Sequence, residues 1–177
     1  MQVIQRTTGL LAFVALAAVA AMAAAAPGAS AANAPKKAPH VTWRTADGRT
    51  VNLDDLAGHV VLVDFWASWC PPCKASFPAL EAISREYRAR GVEVIAVNLD
   101  ERQRDADAFL DAHPHDMTVT FDPKGATAQA FGVRAMPSSF VIDRTGEVRF
   151  THEGYTSAVD AAYRQEISAL LSEGTRR

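Results

Sequence analysis

Two apolar, β-branched runs dominate the pattern: "HVVLVDFW" from His59 to Trp66 and "VEVIAVNL" from Val92 to Leu99. Both are continuous rather than alternating, which suits central strands covered on both faces. Between them, Phe77, Leu80, Ile83 and Tyr87 recur at spacings of three and four, with Glu81, Arg85 and Arg88 on the opposite face and Gly91 as a stop. This spacing predicts a helix, and strand, helix and strand of these lengths make a right-handed crossover with parallel strands. Upstream, "VTWRTADGRTVNL" places two β-prone runs around Asp47-Gly48, a turn dipeptide, and predicts an N-terminal hairpin. Downstream, the pattern predicts a helix over 102–113, a strand over 118–121, a short helix over 124–131 and a hairpin over 138–150 that turns at Asp143 to Gly146. A final helix carries Val159, Tyr163, Ile167 and Leu170 on one stripe. The fold class is α/β: a mixed central sheet flanked by helices, with the hairpin added at its N-terminus.

Composition changes this picture at the N-terminus. Residues Gly9 to Ala26 form an uncharged apolar run after Arg6, followed by the small, Pro-containing stretch "PGASAANAPKKAP". That order reads as a secretory signal over residues 1–32, cleaved or retained as an anchor, then a linker over 33–40 and one domain over 41–177. No cysteine precedes Cys70, which excludes a lipid-modified N-terminal cysteine, and Arg6 has no neighbouring Arg for a twin-arginine signal. At 177 residues and 49% hydrophobic the chain supports one core, and a formal charge of −2 supplies no basic field for nucleic acid.

The candidate chemistry lies in "DFWASWCPPCKASFP", which contains both cysteines of the chain. A bridge between Cys70 and Cys73 closes so small a ring that it removes little entropy from the unfolded chain, so it is a poor staple. A structural zinc site needs about four ligands, and His40, His59, His113, His115 and His152 lack suitable spacing from the cysteines. "HPHD" at His113 to Asp116 reads as a solvated loop, and no metal or other cofactor is expected. A reactive pair accounts for more of the neighbours. At a strand-to-helix junction the helix dipole favours the Cys70 thiolate as nucleophile, Pro71 and Pro72 fit the first turn, and Cys73 sits one turn deeper to resolve a mixed disulfide.

Trp66 and Trp69 are candidates for apolar cover or for a landing surface; Trp66 divides evenly between that role and core packing. Asp64, a charge in an apolar strand, is expected to exchange a proton with Cys73, with its acidity weakened by desolvation. Pro137 enters a predicted strand, where its missing N–H is unusual; a cis bond would leave the Met136 backbone free for an extended substrate, and a trans strand-start proline fits the pattern equally.

"VLVDFWASWCPPCKASFPAL", the later "MPSSFVIDRTGEV" and the order of elements resemble the thioredoxin superfamily, and within it the exported TlpA/ResA-like thiol-disulfide oxidoreductases. The resemblance covers the chain after about Val41. It implies a thioredoxin-like fold, a redox-active Cys70–Cys73 disulfide, Cys70 as nucleophile, Cys73 as resolving thiol and Pro137 as a cis-proline. It also implies a periplasmic, monomeric reductase of disulfides in exported proteins, such as apocytochrome c or copper-site cysteines, charged by a membrane thiol carrier. A disulfide oxidase or isomerase on the same fold, or a non-enzymatic copper-binding module, is the competing expectation. Many relatives carry Glu six residues after the first cysteine, where this chain has Ser76, and Asn where it has Asp64. The acid has moved from one side of the cysteines to the other.

Overall fold

The computed structural model describes residues 36–173. The expected signal segment and the last four residues therefore lie outside the described residues. Eight strands form one mixed sheet: β1 (Lys36–Lys37), β2 (Thr42–Thr45), β3 (Thr50–Asn52), β4 (Val60–Trp66), β5 (Val92–Asn98), β6 (Thr118–Phe121), β7 (Ser138–Ile142) and β8 (Glu147–Glu153), in the order β1-β8-β7-β4-β5-β6-β2-β3. β4, β5 and β6 run parallel; β7 pairs antiparallel with β4, and the remaining pairs are antiparallel. Four helices complete the fold: α1 (Pro71–Tyr87), α2 (Gln103–Asp111), α3 (Ala126–Phe131) and α4 (Ser157–Glu173). Among the described residues no helix is long and apolar enough to cross a membrane.

β4 sits at the centre because every one of its residues is buried, and its alternation divides the core in two. Val60, Leu62 and Trp66 pack with residues of α1, α2 and α4, while Val61, Val63 and Phe65 pack with α3 and the N-terminal hairpin. The expected hairpin turns at Gly48, whose φ of +83° is a conformation that glycine adopts without strain. α1 ends in a short 3-10 turn closed by Gly91 at φ +84°, where the helical pattern stops.

Three expectations need correction. Lys36 and Lys37 lie in the stretch read as linker, yet they pair with Val148 and Glu147 of β8. Glu81 is not on the solvent face of α1: it is buried, its carboxylate accepts the backbone N–H groups of Asp116 and Met117 at 3.0 and 3.1 Å, and it pairs with Arg85. A carboxylate is stable there because two amides and a guanidinium satisfy it. The loop at His113 and His115 is also less solvated than expected. The His113 ring stacks on Phe109 at a centroid distance of 3.9 Å, and His115 lies edge-on to Phe77.

Candidate active site

The C-terminal ends of β4 and β5 lie side by side, and the chain leaves β4 through Ala67, Ser68 and Trp69 into α1. Cys70 is the residue that caps α1, with its N–H donating to the Ala67 carbonyl and no side chain capping the helix. Its sulfur is bonded to that of Cys73, with 5.3 Å between the Cα atoms, so the expected pairing is present in the structure. Cys70 is buried at 4% exposure and Cys73 is fully buried, so Cys70 is the less enclosed of the two.

The first turn of α1 departs from an ordinary helix start. Four N–H groups are normally unpaired there. The Cys70 N–H is already bonded, Pro71 and Pro72 have none, and Lys74 N–H donates to the Cys70 carbonyl at 3.2 Å. That leaves Cys73 as the source of a first-turn amide for a thiolate. The helix dipole still points at Cys70, but with fewer donors than the bare motif suggests.

The tryptophans divide. Trp69 is 64% exposed beside Cys70, as a landing surface requires. Trp66, grouped with it as substrate-binding, is instead closed into the core at 1% exposure, with its ring 5.3 Å from Phe77 and 5.2 Å from Phe109. Alternation along β4 dictates this: Trp66 shares a face with Val60 and Leu62, and that face is covered by helices. Pro71 and Pro72 are exposed, Met136 is half-buried and Pro137 is buried.

The Met136–Pro137 bond is cis. Register pairs Ser138 with Phe65, so Pro137 stands at the end of the sheet where β4 leads into the cysteines. The Pro137 carbonyl accepts the N–H of Gly154, and Ser138 Oγ donates to the Ala135 carbonyl.

Asp64 is fully buried, and neither of its oxygens has a hydrogen-bond partner. Desolvation alone pushes its carboxyl well above the ordinary aspartate range, favouring the neutral acid. It lies on the face of β4 that also carries Val60, Leu62 and Trp66, the face packed on Cys73 and Phe77. Ser76, where many relatives have an acid, is fully buried with its hydroxyl donating to the Cys73 carbonyl at 2.9 Å. The acid beneath the cysteines therefore comes from the strand.

One supporting group was not found from the sequence. Asp100, just past β5, is buried and accepts the Ser68 N–H at 3.0 Å, the Ser68 hydroxyl at 3.1 Å and the Asn98 side-chain amide at 2.7 Å. Asn98 Oδ1 in turn accepts the Asp100 N–H, and Leu99 N–H donates to the Trp66 carbonyl. This network ties the turn before Cys70 to the end of β5. The available signal was an Asn and an Asp closing an apolar strand, which read equally as a loop start.

The Redoxin family matches residues 33–166. Among curated proteins, the thiol-disulfide oxidoreductase ResA of Oceanobacillus iheyensis is 36% identical over 108 residues, 61% of this chain and 56% of that protein. ResA of Halalkalibacterium halodurans is 31% identical over 121 residues, 68% of this chain and 69% of that protein. The chain thus spans little more than half the length of the first of these relatives. Among solved structures, a Chlorobium tepidum protein provisionally assigned as thiol:disulfide interchange protein DsbE superposes with a TM-score of 0.75 at 46% identity, covering 77% of this chain and 96% of that one. The exposed lipoprotein thioredoxin of Streptococcus pneumoniae superposes at 0.66 with 28% identity, covering 75% and 100%. With a thioredoxin-like sheet, a disulfide at the head of α1 and a cis-proline opening β7, the chain belongs to the Redoxin family and is a ResA-like member of the thioredoxin superfamily.

Proposed function

We propose that the protein is a thiol-disulfide oxidoreductase working outside the cytoplasm as a reductant of disulfides in exported proteins. The observation that carries the direction is the first turn of α1. A strongly oxidising pair is one whose reduced form is stabilised, chiefly through the thiolate. Here two prolines withhold two of the amides that would stabilise it, so the reduced form gains less and the disulfide is favoured. Names of relatives support the chemistry, and the apolar run before Pro27 and the exposed pneumococcal lipoprotein support export.

In the reductive cycle Cys70 thiolate attacks a substrate sulfur, breaking the substrate disulfide and forming a mixed disulfide as one substrate thiolate leaves. The ionised form of Asp64 takes the proton of the Cys73 thiol, and Cys73 attacks Cys70 Sγ. The second substrate thiolate departs and is protonated, two electrons have moved, and the Cys70–Cys73 disulfide stands as in the structure. A membrane dithiol carrier restores the pair. Trp69, Pro71, Pro72 and the Met136 backbone form the surface that receives an extended segment of substrate. Apocytochrome c and copper-site cysteines fit as substrates because each must be reduced before its metal or haem is attached.

Cys73→Ser tests the reading. The variant is expected to accumulate partner proteins on Cys70 as mixed disulfides released by dithiothreitol; a variant that captures nothing overturns it.

A further inference from the structure

The N-terminal hairpin reaches the active site through α3. β2 joins the sheet beside β6, and Trp43, which pairs with Val51 of β3, is turned into the core at 1% exposure. Its indole holds α3 at both ends. Trp43 Nε1 donates to Thr127 Oγ1 at 2.8 Å in the first turn, and the ring stacks on Phe131, the last residue, at a centroid distance of 6.4 Å. Thr127 and Phe131 stand at i and i+4 and so share one face of the helix.

α3 depends on such contacts. It has six residues, and a helix this short does not hold together in water on its own. Asp122 secures its first turn: the carboxylate accepts the N–H groups of Ala126, Thr127 and Ala128 at 3.0, 2.8 and 3.0 Å, and the Thr127 hydroxyl at 2.7 Å. The indole N–H donates to Thr127, and the Thr127 O–H donates onward to Asp122, so both donors are used.

At the other end, Phe131 lies against Phe65 of β4 and Phe140 of β7, at 5.3 and 4.9 Å between ring centroids. Gly132 closes the helix in the left-handed region at φ +76°, and Val133 N–H returns to the Ala128 carbonyl at 2.9 Å. The end of α3 therefore sets the direction in which the chain runs on to Met136. Beyond it, the Ala135 carbonyl accepts Ser138 Oγ and the Pro137 carbonyl accepts Gly154 N–H. Among the described residues nothing bonds the Met136 N–H and C=O, the groups offered to a substrate strand.

We propose that Trp43 is a positioning residue for the substrate-binding backbone at Met136: it holds α3, and α3 sets the loop that presents Met136 ahead of Pro137. The hairpin thus serves the reception of protein substrates and takes no part in the exchange at Cys70 and Cys73. This rests on the Met136 backbone receiving the substrate segment.

The test follows single turnovers of the reduced protein with two disulfides: an extended peptide disulfide long enough to lie along Met136, and bis(2-hydroxyethyl) disulfide, which is not. Trp43→Phe keeps a ring and removes the N–H; Thr127→Val removes its acceptor. Each is expected to raise the half-saturating peptide concentration about fivefold, the loss of one hydrogen bond, with the maximal rate and the reaction of the small disulfide unchanged. The double variant should do no more than either single, because both remove the same bond. Thr127→Ser keeps the hydroxyl and should restore the native value. Ile167→Val, a small cut in the core beneath α4, should leave it in place. Native peptide saturation in both Trp43→Phe and Thr127→Val overturns the proposal, as does an equal rise in Ile167→Val, which would reduce Trp43 to a general support of the fold. An equal loss with the small disulfide also overturns it, by moving the effect to the cysteines. If the native protein takes the peptide no better than the small disulfide, the Met136 reading itself fails and the proposal falls with it. Should Trp43→Phe fail to fold, Thr127→Val decides.

Discussion

Replacing Asp64 by Asn should make the oxidised protein more stable at neutral pH than at acid pH relative to the native chain. An Asp buried without a partner holds its proton in the fold and loses it readily when unfolded. Between the ordinary value of 3.8 and its raised folded value, the native state therefore binds one proton more than the unfolded state. The sign of the linkage follows: native stability falls as pH rises through that window, by about 1.4 kcal/mol per pH unit, and the loss ends once pH passes the folded value. Asn cannot ionise, so the variant lacks this slope. The assay is urea unfolding of the disulfide-bonded forms at half-unit steps from pH 4 to 8, taking the difference between variant and native protein so that all other titrating groups cancel. The difference should grow in favour of Asn at about 1.4 kcal/mol per pH unit across the first part of the range. Parallel curves from pH 4 to 8 would refute the burial argument, and with it the reading of Asp64 as a proton acceptor with weakened acidity.

Other outcomes follow from the site. Pro72→Ala returns an amide to the first turn of α1 and should lower the Cys70 thiol pKa by about one unit, one hydrogen bond to a thiolate, as read by iodoacetamide alkylation against pH. Asp100→Ala strands the Ser68 N–H and the Asn98 amide, and should cost about 1–3 kcal/mol in denaturant unfolding while slowing exchange at Cys70. Trp69→Ala should leave stability within about 0.5 kcal/mol, since the ring is exposed, and lower kcat/KM for protein disulfides more than for glutathione disulfide. Trp66→Ala should cost about 3–5 kcal/mol, because it empties a core site between Phe77 and Phe109.

The elements with strong periodicity were legible: β4, β5, α1 and α4 lie within a few residues of where their patterns put them, and β6 matches residue for residue. Continuous apolar runs leave a strand only one environment, which is why the parallel pairing of β4 and β5 could be read from them. The redox pair was legible because C-P-P-C at a strand-to-helix junction has few other uses, and the cis-proline followed only from the family resemblance. What escaped was chemistry that depends on two distant segments meeting. Glu81 fits a solvent stripe until the Asp116–Met117 backbone arrives over it. Tyr163 counts as one apolar member of a helical stripe, yet its hydroxyl meets Ser139 across 24 positions of sequence. Trp66 and Trp69 are three residues apart and chemically alike, but strand alternation buries one and the turn exposes the other.

The direction of electron flow is the centre of this account, and an equilibrium potential measured against glutathione and dithiothreitol reads it directly. Two prolines in the first turn predict a potential toward the reducing end of this fold, near the about −270 mV of thioredoxin. A value near −120 mV, that of a strong oxidant, would mean that the Cys70 thiolate is stabilised in spite of the missing amides, and would contradict it.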